Sequence, residues 1–224
     1  MPNFDIVRTV DIDKTFRVAH IMSDFDVKEG HVKEHFVGDI VIPANWNIGI
    51  ICGASGTGKS TIMNELFGEH LCSCEYTHKS VIDDMPDKCN VDEITKMFYA
   101  VGFGSVPSWL KPYSVLSNGE KMRVDIANAL LGNDFVVFDE FTSVVDRNVA
   151  QVASVAIAKA VKATKKKFVA VSCHKDVIPW LQPDWVFDTD TMQMVFPNAR
   201  AHKESLKCES AGEKNGKSLD DIII

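Results

Sequence analysis

Short apolar runs that end in polar residues recur along this chain. The runs at 47–52, 135–138 and 168–172 are rich in β-branched or aromatic residues, which is typical of buried strands. Two more runs, 185–187 and 192–196, flank a polar turn and therefore predict a hairpin.

The segments between these runs carry helix signals, which are apolar residues on one face, capping boxes, and a glycine just past the end. The helices predicted in this way cover residues 59–67, 91–101, 118–131 and 147–163. The two capping boxes pair Asn90 with Glu93 and Ser117 with Glu120. An alternating segment at 36–42 and a short apolar segment at 80–82 predict two further strands. Strands in alternation with helices predict the fold class, an α/β domain with a largely parallel central sheet.

Composition bounds the size and class of the protein. The chain has 224 residues, 46% of them hydrophobic, and a formal net charge of −7. These values are ordinary for one globular domain, which we expect over residues 1–197, with a disordered polar tail over 198–224. No run approaches the roughly 18 apolar residues of a membrane span, and no signal-peptide pattern is visible, so we expect a cytoplasmic protein. The acidic balance argues against a general nucleic-acid coat.

The sequence contains six cysteines, and without a secretory pattern we expect them to be reduced thiols. His70, Cys72, Cys74 and His78 offer four side chains that can bind a metal, but the Cys-x-Cys spacing is tighter than that of zinc sites. We therefore assign no metal to this cluster.

A phosphate-binding loop (Walker A motif) lies between a predicted strand and a predicted helix. Residues 53–60 read Gly-Ala-Ser-Gly-Thr-Gly-Lys-Ser and match the pattern G-x4-G-K-[ST] at every position. Glycines let successive amides converge on phosphate oxygens, the lysine reaches the β- and γ-phosphates, and the last hydroxyl binds Mg²⁺. The residues predicted to contact the nucleotide are Gly53, Ser55, Gly56, Thr57, Gly58, Lys59, Ser60 and Thr61.

Two acids follow the apolar strand at 135–138. Asp139, at the tip of the strand, is placed to hold Mg²⁺ together with Ser60. Glu140 is the candidate general base that orients and deprotonates the attacking water. The phosphate loop alone gives only the class of nucleotide-binding proteins, but this acid pair adds the means for phosphoryl transfer to water.

A second candidate anion site lies shortly before the acidic strand, where the octapeptide Leu-Ser-Asn-Gly-Glu-Lys-Met-Arg begins a helix. With the phosphate loop and the acid pair, it resembles the ATP-binding cassette (ABC) ATPases. The signature of that family is usually Leu-Ser-Gly-Gly-Gln. Leu116, Ser117 and Gly119 fit this signature, and Asn118 and Glu120 depart from it.

Two further positions carry the resemblance, which covers about residues 36–196. Asp146 stands in the place of the D-loop aspartate, and His174 matches the histidine that senses the γ-phosphate. The resemblance implies a P-loop NTPase fold, ATP and Mg²⁺ as cofactors, and an ATP-dependent head-to-tail homodimer. Each ATP would lie between the phosphate loop of one chain and the signature helix of the other, with Lys59, Glu140 and His174 as catalytic residues. The residues implied in binding from the second chain are Ser117, Gly119 and Asp146.

The chain departs from the family pattern between the phosphate loop and the signature. The family usually has a glutamine loop there, but residues 61–115 contain no glutamine. We predict Asp84 as its replacement and as a further metal ligand. The segment is short, so we expect a reduced helical subdomain over about residues 84–116. Phe16 and Phe25 are the candidates for stacking on adenine.

These features favour an ATPase that hydrolyses Mg-ATP as a dimer and acts on a soluble protein or nucleic-acid-associated process. The alternatives are the ATPase subunit of a membrane transporter, a nucleotide-gated binding module that hydrolyses weakly, and a small-molecule kinase. The sequence predicts that the chain itself does not span a membrane. It does not identify the protein or nucleic-acid partner on which the ATPase would act.

Overall fold

A five-stranded, mainly parallel sheet forms the centre of the protein. The computed structural model describes residues 3–9, 13, 15–27 and 33–197. The strands of the described residues are β1 Asn3–Thr9, β2 Lys33–Asp39, β3 Ile48–Cys52, β4 Phe135–Phe138, β5 Lys167–Ser172, β6 Trp185–Asp188 and β7 Gln193–Val195. The central sheet has the order β4-β5-β3-β6-β7, with β7 antiparallel to β6 and the other pairs parallel. The second sheet is the antiparallel pair of β1 and β2.

Helices connect the parallel strands, as the crossover geometry of such sheets requires. They are α1 Phe16–Asp24, α2 Lys59–Phe67, α3 Val91–Ala100, α4 Val106–Trp109, α5 Asn118–Gly132, α6 Arg147–Thr164 and α7 Val177–Leu181, with 3₁₀ turns at Gly68–His70 and Tyr113–Val115. The two capping boxes predicted from the sequence are confirmed at the starts of α3 and α5. None of the helices in the described part of the chain is long and apolar enough to cross a bilayer.

The core lies on both faces of the central sheet. In β3, Ile48 and Ile50 face the side covered by α3, α5 and α6, while Ile51 faces the side covered by α2. The same alternation in β5 separates Phe168 from Val169. All five residues of β3 are buried, because a parallel strand in mid-sheet is covered on both faces.

Most predicted elements are confirmed to within one or two residues. The segment at 80–82 is not a strand, because it forms a turn in which the apolar side chain of Val81 is fully buried by packing. The predicted strand at 36–42 is displaced, since β2 ends at Asp39 and pairs with β1. The analysis of the sequence missed β1 and α1. The predicted tail at 198–224 lies outside the described residues, and the predicted helical subdomain boundaries stay a prediction.

The β1–β2 sheet packs against the end of the central sheet that bears the phosphate loop. Phe4 meets Phe187 edge to face at 5.8 Å between ring centroids. Phe36 packs so tightly on the loop that a Cβ added at Gly58 would lie 2.4 Å from its ring. The second sheet therefore supports the candidate site from one side.

Gly49 gives a test of the central packing. A Cβ built on Gly49 would lie 2.1 Å from the ring of Trp185, which is fully buried and cannot move aside. We expect Gly49→Ala to lower the free energy of unfolding by about 1–3 kcal/mol through overpacking, as measured by urea denaturation.

Gly68→Ala is the matched control, since its Cβ would meet nothing nearer than Asn64 Oδ1 at 3.9 Å. We expect this variant to stay within about 1 kcal/mol of the parent protein. Equal stability of the two variants would contradict the packing described for β3 and β6.

Candidate nucleotide-binding site

The phosphate loop joins the end of β3 to the start of α2 in the conformation that its glycines allow. Gly58 has φ of 84° and Gly56 has φ of 83°, both in the left-handed region. The Lys59 ammonium donates a hydrogen bond to the Ala54 carbonyl at 2.6 Å, which closes the loop on itself. The amides at the start of α2 and its dipole favour an anion in this loop.

A cavity of about 280 Å³ lies over this loop, where the carboxyl ends of β3, β4 and β5 meet. Its lining comes from four places in the chain, which are the phosphate loop, the acid pair, the end of β5 and the β1–β2 sheet. The lining residues are Arg8, Glu34, Ser55, Gly56, Gly58, Lys59, Ser60, Thr61, Asp139, Glu140, Ser143, Val171, Ser172 and Cys173. The structure therefore brings together most of the residues predicted for the phosphate and metal sites.

The acid pair is held in place by contacts with β5. The Glu140 amide donates to Asp139 Oδ1 at 2.8 Å, and Glu140 has a left-handed φ of 52°. Non-glycine residues in this region are uncommon and cluster at functional sites. The next amide, that of Phe141, donates to the Val171 carbonyl at 2.8 Å. The Glu140 side chain is exposed, so it is free to contact a bound molecule.

His174 follows β5 on the turn that borders this cavity. Its amide donates to Ser172 Oγ at 3.1 Å, and the Ser172 hydroxyl donates in turn to the Phe141 carbonyl at 2.9 Å. Its neighbours Ser172 and Cys173 line the cavity, although the His174 side chain itself is not among the lining groups. The turn is thus fixed to the acid pair, and His174 directly follows the lining residue Cys173.

The residues present suit a magnesium ion. Mg²⁺ is usually held by one or two carboxylates and substrate phosphates, with water as its other ligands. Ser60 and Asp139 line the same cavity and offer one hydroxyl and one carboxylate. A cage of three protein ligands is not needed, and no such group is found among the described residues.

Asp84, predicted as a further metal ligand, does not lie in this cavity. Its carboxylate is only 2% exposed, and its Oδ1 accepts hydrogen bonds from the Thr77 amide, the His78 amide and His78 Nδ1 at 2.7–3.0 Å. These bonds hold the pKa of Asp84 below its ordinary value against the opposing effect of burial. Asp84 therefore shapes a local turn, which removes it from the predicted metal ligands.

Residues 71–76, rather than Asp84, run beside the acid pair. Leu71 forms a parallel bridge with Val137 of β4, and the Cys72 amide donates to the Val137 carbonyl at 2.8 Å. From there the chain leaves the sheet beside Asp139, with which it lines a cavity of about 390 Å³. No strand signal is visible here in the sequence, because one bridge needs no alternating pattern.

The aromatic residues predicted to stack on adenine are also absent from the cavity lining. Phe16 and Phe25 are 83% and 71% exposed at the two ends of α1. Arg8 and Glu34 occupy the lining from the β1–β2 sheet instead. They face each other in the register of that pair, a position that only strand pairing reveals.

The signature residues lie outside this cavity and contact the D-loop. The Asn118 side chain donates to the Val144 carbonyl at 3.3 Å, and a Cβ on Gly119 would lie 2.9 Å from Val149 of α6. Asp146 caps α6 by accepting hydrogen bonds from two amides at 3.0 Å. Ser117, Gly119 and Asp146 thus form one surface that is separate from the phosphate loop of the same chain.

The polar turn between β6 and β7 supports the phosphate loop, a role that the sequence analysis missed. Asp190 Oδ1 accepts a hydrogen bond from the Ala54 amide at 2.8 Å, and the hydroxyls of Thr189 and Thr57 are 2.6 Å apart. Lys175, next to His174, bonds Asp190 at 2.9 Å. The pKa of Asp190 is lowered mainly by the hydrogen bond from the Ala54 amide and next by the bond from Lys175. The available signal was that this turn follows an apolar strand, as the acid pair does.

These features define the class of fold. The sheet is mainly parallel, a phosphate loop follows its central strand, and an acid pair follows an outer strand, which is the arrangement of the P-loop NTPases. Solved structures narrow the class. The ATP-binding cassette MJ0796, in a dimeric post-hydrolysis state bound to ADP and Pi, is similar with a TM-score of 0.57 and 13% identity, over 83% of this chain and 92% of that one. CbiO1 from Clostridium perfringens, part of the ABC transporter complex cbiONQ, gives 0.55 and 18%, over 72% of this chain and 82% of that one.

The protein therefore has the fold of an ABC nucleotide-binding cassette. No protein-family model matches the sequence, and no curated protein matches it. At these identities the likeness concerns the fold.

The Asp190 contact gives a test of how the phosphate loop is supported. We expect Asp190→Ala to weaken Mg-ATP binding about two- to tenfold, since the Ala54 amide loses its acceptor and the loop is less ordered. Isothermal calorimetry measures this change.

Asp190→Asn is the matched variant, because its amide oxygen still accepts from Ala54 while the ion pair with Lys175 is lost. It should lose less affinity than Asp190→Ala. Parent-like affinity in Asp190→Ala would show that the 188–190 turn has no part in the site.

Proposed function

We propose that this protein hydrolyses ATP with Mg²⁺ in a head-to-tail homodimer. One observation carries the proposal: the phosphate loop, the acid pair and the end of β5 line one cavity, while the signature helix of the same chain lies outside it. A second chain is needed to bring Ser117 to the γ-phosphate.

The residues of the cavity supply the parts of the reaction. When bound, Mg²⁺ would offset charge on the β- and γ-phosphates, held by Ser60 and Asp139. Glu140 orients the water and accepts its proton, and His174 holds the γ-phosphoryl group in line. Lys59 moves from the Ala54 carbonyl to the phosphates. The products are ADP and phosphate, and most of the rate comes from positioning and electrostatics.

The solution mass of Glu140→Gln tests the dimer. The amide keeps the shape of the site but cannot accept the proton, so turnover should fall about 10²–10⁴-fold while ATP binding persists. We expect light scattering to show a monomer without nucleotide and a doubled mass with Mg-ATP.

Lys59→Ala in the Glu140→Gln background is the control, and it should bind ATP weakly and stay monomeric. A monomer under both conditions, with ATP shown by calorimetry to bind, would contradict the composite site. Unchanged turnover in Glu140→Gln would contradict the assignment of the base.

Glu120 adds a feature to this interface that follows from its charge. Its Oε2 accepts hydrogen bonds from the Ser117 amide at 2.9 Å and the Ser117 hydroxyl at 2.8 Å. These bonds outweigh the effect of burial and lower the pKa of Glu120, so the carboxylate is ionised at neutral pH. The negatively charged carboxylate of Glu120 therefore occupies the two hydrogen-bond donors of Ser117 that the γ-phosphate needs.

Glu120→Gln should therefore favour the ATP-bound dimer. The amide oxygen can accept the same bonds without the charge, so the ATP concentration for half-maximal dimerisation of Glu140→Gln should fall about two- to fivefold. Light scattering across an ATP titration measures it.

Glu93→Gln is the matched control, because Glu93 forms the same capping box with Asn90 at the start of α3. This variant should leave the ATP dependence unchanged. Equal shifts in both variants would point to helix stability rather than to phosphate repulsion.

The process coupled to this reaction has three candidates. The short segment between α2 and α5 favours a soluble protein or nucleic-acid partner, and stimulation of turnover by DNA, RNA or a copurifying soluble protein tests it. The likeness to CbiO1, which is part of an ABC transporter complex, favours a transporter subunit, which capture of a membrane protein would support. The contact of Glu120 with Ser117 favours a weakly hydrolysing switch, which tight ATP binding with negligible turnover would support.

A further inference from the structure

A pair of thiols lies on the segment that leaves the sheet beside β4. Alternate side chains of residues 72–76 share a face, as in an extended chain: Cys72, Cys74 and Tyr76 are half-buried while Ser73 and Glu75 are exposed. The two sulfur atoms are 3.7 Å apart. This distance is a contact between unbonded thiols, and a small rotation about each Cα–Cβ bond brings them closer.

The surroundings favour reaction between these two thiols. Both lie near the Asp125 carbonyl of α5, at 3.7 and 3.9 Å. The Tyr113 hydroxyl donates to Asp125 Oδ2 at 2.8 Å. The ring of Tyr113 stacks on the ring of Tyr76, with 4.0 Å between the centroids. This framework holds the segment against α5.

The sulfur atoms are open to small molecules from two sides. Cys72 and Cys74 line the cavity of about 390 Å³ shared with Asp139, and they also line a polar cavity of about 410 Å³ beside His70. By contrast, Cys52 is buried in β3.

The two thiols differ in their readiness to ionise. The hydrogen bond from the Cys72 thiol lowers the pKa of Cys74, although burial and Asp125 oppose it. The same contact, together with burial, raises the pKa of Cys72. The arrangement is that of one nucleophilic thiolate beside one resolving thiol.

We propose that Cys72 and Cys74 are an oxidation site for hydrogen peroxide, at which closure of a disulfide slows ATP turnover. The Cys74 thiolate attacks the O–O bond of the peroxide and takes one oxygen as a sulfenic acid, and the other oxygen leaves as water after gaining a proton. The Cys72 sulfur then displaces hydroxide from Cys74, and this hydroxide leaves as water with the Cys72 proton. Two thiols are oxidised and one hydrogen peroxide is reduced to two waters. A dithiol such as dithiothreitol reduces the disulfide back to two thiols.

The effect on turnover rests on the proposed function and follows from geometry. In an extended chain, the Cα atoms of two residues such as Cys72 and Cys74 are about 6.6–6.8 Å apart. This distance is at the upper end of the range that disulfides allow. Closure therefore draws the segment in at Ser73. Because the Cys72 amide bonds Val137, this movement pulls on β4 two residues before Asp139.

The chemical test uses the full chain. The reduced protein is treated with hydrogen peroxide, quenched with catalase, alkylated and mapped by mass spectrometry. We expect the peptide with Cys72 and Cys74 to lose about 2 Da and to escape alkylation until dithiothreitol is added. Free thiols at both positions, or a disulfide to another cysteine, would overturn the proposal.

Single variants separate the roles of the two sulfur atoms. Cys72→Ser should stop at a sulfenic acid on Cys74 that dimedone traps, and Cys74→Ser should react slowly and trap little. Cys89→Ser is the control and should behave as the parent protein. Stoichiometric capture of Zn²⁺ that protects both thiols without a disulfide would overturn the proposal in favour of a metal site.

The turnover test compares the full chain with the double variant Cys72→Ser/Cys74→Ser, because Cys173 lines the nucleotide cavity and its own oxidation would slow both proteins alike. We expect the oxidised full chain to hydrolyse ATP several-fold more slowly than its reduced form, with recovery in dithiothreitol, while peroxide changes the turnover of the double variant much less. A mapped disulfide without a change in turnover would overturn the regulatory part. No turnover even when reduced, with the disulfide still mapped, would instead count against the proposed function and leave the oxidation site standing.

Discussion

The parallel pairing of β3 with β5 and β6 is the constraint on which the rest of the site depends. Parallel strands end at the same edge of a sheet, so the loops after β3, β4, β5 and β6 must meet there. Each of these loops bears polar residues. The edge therefore collects a phosphate loop, an acid pair, a histidine turn and the 188–190 turn within one small volume.

The four loops are joined by hydrogen bonds that leave the cavity largely preformed. The acid-pair loop bonds β5 through Phe141 and Ser172, and the Thr189 amide donates to the Cys52 carbonyl at 2.7 Å. Asp190 continues this chain to the phosphate loop. Lys175 links the 188–190 turn to the loop of His174 through ion pairs with Asp188 and Asp190. Preorganised donors of this kind do not have to be ordered during the reaction.

The signature helix, α5, is stabilised within one chain. Its capping box satisfies the amides at the helix start, so this end of the helix needs no partner from a second chain. In the proposed dimer, this carboxylate would stand where the phosphate of the second chain binds. The interface would then exchange the internal contact of Glu120 with Ser117 for a contact with that nucleotide. The thiol pair lies beside the other flank of α5, at a distance from this exchange.

Local signals in the sequence were sufficient for the elements and for the phosphate loop, because capping boxes, glycine turns and apolar runs act over a few residues. The bounds of α2, and the capping boxes of α3 and α5, follow from these signals alone. The α1 helix was not predicted, and it has no buried residue among those described. Only the tertiary structure decided where non-local partners meet. It placed Asp190 against Ala54, because the parallel pairing of β3 with β6, rather than any neighbouring residue, brings the ends of those strands together.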